Sequence, residues 1–165
     1  MAGTAPLNPE KIIKTLDRFN VKYILVGALA ARLQGFPRMT ADADITPSTD
    51  DENLTKLAQA LQKIDACVFT EHAPQGFPFD CSAKNLKKVK IWNLVTSAGR
   101  LDIIFKPGGT NGYEDLIEGA KRFEAFGVTL YVSSIQDIIR SKKAADRPQD
   151  RQDIIILKEI LKRNT

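Results

Sequence analysis

Three aspartates carry the strongest chemical signal in this 165-residue chain. Asp42 and Asp44 stand two apart in Asp42-Ala43-Asp44-Ile45. On a strand, residues two apart point to the same face, so these carboxylates would lie side by side. Asp102 sits in Arg100-Leu101-Asp102-Ile103-Ile104-Phe105, an otherwise apolar run. A carboxylate there is costly to bury unless something neutralises it. It could pair with Arg100 or with a charge on a neighbouring strand, or it could join the other two aspartates. Three carboxylates brought together repel. A pair of Mg²⁺ ions resolves that, because Mg²⁺ is held by carboxylate oxygens together with substrate phosphates. Two such ions can activate an attacking oxygen and steady the leaving one.

Upstream, Gly27 ends a β-rich run and opens the short helix-forming stretch Ala28 to Gln34. Backbone N–H groups at a helix N-terminus bind phosphate, and glycine lets the phosphate come close. Arg38 and Thr40 lie between this turn and the aspartates. They suit either phosphate contact or holding the aspartate strand in place. A glycine turn, an arginine, two aspartates and a third on a later strand suit metal-assisted transfer from a nucleoside triphosphate. Asp42-Ala43-Asp44-Ile45-Thr46 also spells the Asp-x-Asp-x-Thr of haloacid-dehalogenase-like phosphatases. That motif needs a buried apolar strand directly before its first aspartate, and Pro37-Arg38-Met39-Thr40-Ala41 does not supply one.

The elements that must position these groups read as follows. Asn8-Pro9-Glu10 predicts a helix start, with Ile12, Ile13, Leu16 and Phe19 on one face. Val21 to Val26 reads as a strand and Asp42 to Ile45 as a second, ended by Pro47. Thr49-Asp50-Asp51-Glu52 reads as a capping box for a helix to about Lys63. Ala66 to Phe69 reads as an edge strand. Val89 to Thr96 and Leu101 to Lys106 form a hairpin across Ser97-Ala98-Gly99-Arg100, and Arg122 to Val132 a second one closed near Gly127. Short and longer helices follow at Tyr113 to Gly119, Ser134 to Ala145 and from Pro148 onward. The sum is an α+β fold, a mixed β-sheet with packed helices, over a single domain from 1 to 165.

Composition adds boundaries. Hydrophobic residues at 43% and charged residues at 27% fit a globular domain and exclude a coiled coil or a disordered tail. No apolar run approaches the ~20 residues of a membrane span. The N-terminal residues show no basic stretch followed by an apolar one, so no leader peptide and no membrane association are expected. Two cysteines, Cys67 and Cys81, have no metal-ligand spacing and read as free thiols in a reducing, cytoplasmic setting. The single histidine, His72, makes a histidine-based zinc site implausible and reads as a surface loop residue. The net charge of +4 permits a polyanionic partner. Lys84, Lys87, Lys88 and Lys90 cluster without an acid between Cys81 and Ser97. This cluster reads either as a solvated loop or as a docking patch for an RNA phosphate backbone, about 20 Å from Asp102 by hairpin spacing.

At Val26-Gly27-Ala28, Asp42-Ala43-Asp44 and Asp102 the chain resembles the DNA polymerase β-like nucleotidyltransferase superfamily. Gly27-Ala28-Leu29-Ala30 and Gly35-Phe36-Pro37-Arg38-Met39-Thr40-Ala41-Asp42-Ala43-Asp44 resemble the small bacterial branch that includes the AbiEii/AbiGii-type toxin nucleotidyltransferases. That branch often ends with a lysine helix and an Arg-x-x-Asp-x-x-Asp helix. The matching stretch here runs from Lys143 through Arg147, Asp150 and Asp153. The resemblance implies a nucleotidyltransferase-like fold and Mg²⁺-dependent transfer of a nucleoside monophosphate from an NTP to a hydroxyl or phosphate. The acceptor it implies is RNA such as tRNA, a protein or a small molecule. Asp42, Asp44 and Asp102 would be catalytic and metal-binding. Gly27, Ala28, Arg38, Thr40, Lys143 and Arg147 would bind nucleotide, although Asp150 could simply hold Arg147 by a salt bridge. The resemblance also implies a toxin with a separate antitoxin protein as partner. Ala28 stands where the family carries Gly or Ser, which is the feature an inactive nucleotide- or protein-binding module on the same fold would show.

Overall fold

The structure is a computed structural model and describes residues 5–164. The first four residues, on which the leader-peptide reading partly rests, lie outside them. Helix α1 (Pro9–Arg18) starts where Asn8 accepts the Lys11 amide, with Pro9 in the first turn. Strand β1 (Tyr23–Val26) leads into α2 (Gly27–Leu33), then β2 (Asp42–Pro47) and α3 (Asp51–Lys63). The chain continues through β3 (Cys67–Thr70), β4 (Ala73–Phe77) and α4 (Ala83–Leu86) to the hairpin of β5 (Ile91–Thr96) and β6 (Gly99–Ile104). Helix α5 (Tyr113–Gly119) precedes the hairpin of β7 (Lys121–Ala125) and β8 (Val128–Val132). Helices α6 (Ile135–Ala145) and α7 (Pro148–Arg163) end the described chain. The α+β, mixed-sheet expectation holds.

All eight strands form one sheet in the order β4-β3-β5-β6-β2-β1-β8-β7. β1 pairs antiparallel with β2, and β2 pairs parallel with β6, which sets Asp44 directly beside Asp102. The period-2 alternation of strands then divides the sheet into two faces. Leu25, Ala43, Ile45, Leu101 and Ile103 enter the main core with α1, α3, α6 and α7. Ile24 and Val26, on the other face of β1, pack against Leu116 of α5. The aspartates share that second face, which is why they escape the core while Ala43, Ile45, Leu101 and Ile103 beside them are wholly buried.

Four local expectations need correction. β3 is not the sheet edge, because β4 pairs outside it. β4 contains Pro74 and Gly76, residues that weaken a strand pattern and are tolerated at an edge. α4 was likewise not anticipated; it is a single turn capped by Ser82. The cap of α3 is Asp50 rather than Thr49, with Asp50 accepting the Asn53 amide. The strand preceding the first hairpin turn begins at Ile91, so Val89 and Lys90 lie outside it.

Candidate active site

Gly27 is the pivot of the site. It follows β1 directly and holds φ at +70°, a left-handed conformation open mainly to glycine. A Cβ at this position would collide with the carboxylate of Asp44. The β1–α2 turn thus passes against the carboxylate with no room for a side chain. Ala28, next in the chain, is half-buried.

Asp42, Asp44 and Asp102 converge as the strand-face argument requires. One oxygen from each lies within 4.8 Å of the others. Burial, then the charges of Asp42 and Asp102, push the Asp44 carboxyl up to about 7. Burial also raises Asp102, against the lowering effect of Arg100. The Arg100 guanidinium bonds Asp102 Oδ1 at 2.9 Å and the Leu94 carbonyl at 3.0 Å, and it lies 3.7 Å over the Phe69 ring. Asp102 therefore does both things its sequence allowed: it pairs with Arg100 and it joins the triad. The residual repulsion marks a site suited to a cation. Three carboxylates and no softer ligand form the donor set of a hard ion such as Mg²⁺.

Thr40 and Arg38 hold structure. The Thr40 hydroxyl lies 2.9 Å from the Asp42 carbonyl and 3.2 Å from its carboxylate, pinning the start of β2. Arg38 makes a two-pronged ion pair with Asp153 of α7, one prong at 3.0 Å, and its guanidinium lies 5.5 Å from the Phe36 ring. Of the two roles open to these residues, the bracing one is what their observed contacts display. Asp153 is buried to 1% side-chain exposure, and α7 is thereby locked to the loop that delivers Asp42.

A pocket of about 320 Å³ opens beside the triad. Val26, Gly27 and Asp44 form one wall, Ile104, Lys106 and Ile91 another, and Ile138, Lys142, Ala145 and Arg147 a third. Arg147 lines it while bonding Asp150 at 2.8 Å, so the anticipated salt bridge is present. Lys143 is exposed and does not line the pocket; its neighbour Lys142 does. Lys142 stands four residues after Ile138 on the same helical face, and that spacing could have distinguished it from Lys143. Its ammonium sits 3.0 Å from Asp153 and 3.5 Å from Asp150. Lys106 was also missed. It continues the alternation Asp102, Ile104, Lys106 beyond the end of β6. His72 is exposed, and Cys67 and Cys81 are free and half-buried.

Comparison with solved structures decides the fold. The lincomycin-bound lincosamide antibiotic adenylyltransferase LnuA superimposes with a TM-score of 0.61 at 16% identity, covering 94% of this chain and 99% of that one. This chain has a nucleotidyltransferase fold. A putative nucleotidyltransferase from Thermotoga maritima matches the fold at a TM-score of 0.53 and 18% identity, over 96% of this chain and 97% of the other. An antigenic nucleotidyltransferase-like protein from Paracoccidioides brasiliensis gives 0.53 at 20% identity, over 93% and 78%. No family model and no curated protein matches the nucleotidyltransferase-fold chain by sequence. Among its described residues no helix is long and apolar enough to cross a membrane.

Proposed function

We propose that this chain is an Mg²⁺-dependent nucleotidyltransferase that moves a nucleoside monophosphate from an NTP to a hydroxyl or phosphate acceptor. The observation that carries this reading is the convergence of Asp42, Asp44 and Asp102 against the side-chain-free turn at Gly27. The three aspartates would hold Mg²⁺, which when bound supplies positive charge to offset both the carboxylates and the triphosphate. Gly27 and Ala28 offer the phosphates close backbone approach. Lys142, Lys106 and Arg147 present cations from the opposite walls of the pocket. Lys143, exposed on the same helix, would contact only the outer part of a bound nucleotide.

In the transfer, the acceptor oxygen attacks the α-phosphorus and the bond to the bridging oxygen breaks. Pyrophosphate leaves with that electron pair. Asp102, its carboxyl raised by burial and oriented by Arg100, takes the acceptor proton. Arg38 and Thr40 act at one remove by fixing the strand that carries Asp42 and Asp44.

The setting extends the proposal. Free thiols at Cys67 and Cys81 fit a cytoplasmic protein. The glycine–aspartate segment supports a toxin restrained by a separate antitoxin protein; growth arrest on expression, relieved in Asp44→Asn, is the expected behaviour. A second reading, a nucleotide- or protein-binding module without turnover, is favoured by Ala28 alone. Incubation with each labelled NTP, Mg²⁺ and total RNA, protein or small-molecule fractions separates the two. Transferred label that disappears in Asp44→Asn supports transfer. Mg·NTP binding without label on any fraction supports a nucleotide-binding module, and no binding of any Mg·NTP overturns transfer and nucleotide binding alike and leaves the protein-binding module.

A further inference from the structure

We infer that the acceptor is a single-stranded nucleic acid whose phosphates run along a lysine-lined cleft next to the carboxylates. This rests on the nucleotidyl-transfer reading and names its acceptor class. The cleft measures about 750 Å³ and is lined by Lys87, Lys88, Lys90 and Lys106, with Val89 and Ile91 between them and no carboxylate in its walls. Lys106 and Ile91 also line the pocket beside Asp44, so the two spaces adjoin across these two residues.

Charge points to the ligand. Lys87 leans onto Asp51. Among the described residues Lys88, Lys90 and Lys106 form no ion pair. Like charges held together without counter-charges repel, and they raise the local concentration of a polyanion. Val89 and Ile91 are 42% and 51% exposed, so the cleft carries apolar surface beside its lysines. A single strand of nucleic acid matches both features, because its phosphates meet cations while its bases and sugars cover apolar surface. An acidic peptide would match the charge and leave the apolar floor uncovered.

Distance fits as well. In the β5–β6 register Asp102 faces Asn93. Ile91, two residues from Asn93, shares the aspartate face, and Lys90 stands just outside β5, about 10 Å from the level of Asp102. The expectation of about 20 Å was for the cluster from Lys84 to Lys90, of which this register brings Lys90 nearest to the level of Asp102. At about 3.4 Å per phosphate along a stacked strand, the lysines would meet the backbone some three nucleotides from the reacting end. Lys84, on α4, does not line the cleft.

The test is fluorescence anisotropy of an end-labelled single-stranded RNA 12-mer against full-length protein over a salt series, with Mg·ATP binding followed separately by calorimetry. Each phosphate contact contributes about −0.7 to the slope of log K against log salt. Lys88→Ala with Lys90→Ala should therefore flatten the slope by about 1.4 and weaken binding about 25-fold at 0.1 M salt. Mg·ATP affinity should stay at the wild-type value. An unchanged slope and affinity in the double variant overturns the inference. So does equal competition by poly-glutamate. If RNA fails to bind while Asp44-dependent Mg·ATP binding persists, the acceptor class is wrong and the transfer reading stands. If none of the four Mg·NTPs binds either, the transfer reading itself has failed.

Discussion

Replacing Asp44 by asparagine should stabilise the metal-free protein, and by an amount that depends on pH. The folded-state carboxyl is pushed up to about 7 by burial and by Asp42 and Asp102. An unfolded aspartate titrates near 3.9. The folded state therefore holds a proton that the unfolded state releases, and stability is lost as pH rises from the lower value through the upper one. Roughly three pH units at about 1.4 kcal/mol each give on the order of 4 kcal/mol lost by neutral pH. Asparagine is nearly isosteric with the neutral acid and does not titrate. The variant should match wild type near pH 4, gain progressively to pH 7, and level off above it. For a chain of this size the full difference corresponds to roughly 8–16 °C in Tm. Thermal unfolding of both proteins in chelator, at half-unit pH steps from 4 to 8.5, reads it directly. Adding Mg²⁺ should then raise the wild-type Tm at pH 8 and leave Asp44→Asn unmoved, since only ligand binding to the folded state stabilises it. A stability difference that stays flat from pH 4 to 8 would refute the coupling of these carboxyls. An equal Mg²⁺ response in both proteins would remove Asp44 from the metal site.

Gly27→Ala should abolish Mg·ATP binding in calorimetry, because its methyl group would occupy the space of the Asp44 carboxylate. The positive φ adds a backbone cost on the order of 1–2 kcal/mol, visible as a lowered urea midpoint. Lys142→Ala should weaken Mg·ATP binding about tenfold or more, the loss of one charge-assisted hydrogen bond to phosphate. Lys143→Ala should leave that affinity within about twofold, since its side chain points away from the pocket walls; equal effects of the two variants would reverse the assignment.

Local signals carried much of this architecture. The first helix, both hairpins, α5 and α6 lie within a residue or two of where caps, glycines and periodicity put them. Asp42 and Asp44 were legible as a same-face pair because strand geometry is strictly alternating. β4 was not legible, because Ala73-Pro74-Gln75-Gly76-Phe77 has neither alternation nor β-branched residues. Its strand state comes from pairing with β3 at the sheet edge.

Spacing along the chain alone determined which residues could do chemistry: two carboxylates on one strand face, a third in an apolar strand, a glycine before a short helix. Only the tertiary structure decided what they met. The parallel pairing of β2 with β6 joins residues 58 apart and sets Asp102 against Asp44. Arg38 became a brace because α7, 115 residues later, brings the buried Asp153 to it. Lys142 took the pocket wall from Lys143 because one step along a helix turns a side chain by about 100°. Contacts of this kind depend on how whole elements dock, and docking is set by the summed burial of apolar faces rather than by any short stretch of sequence.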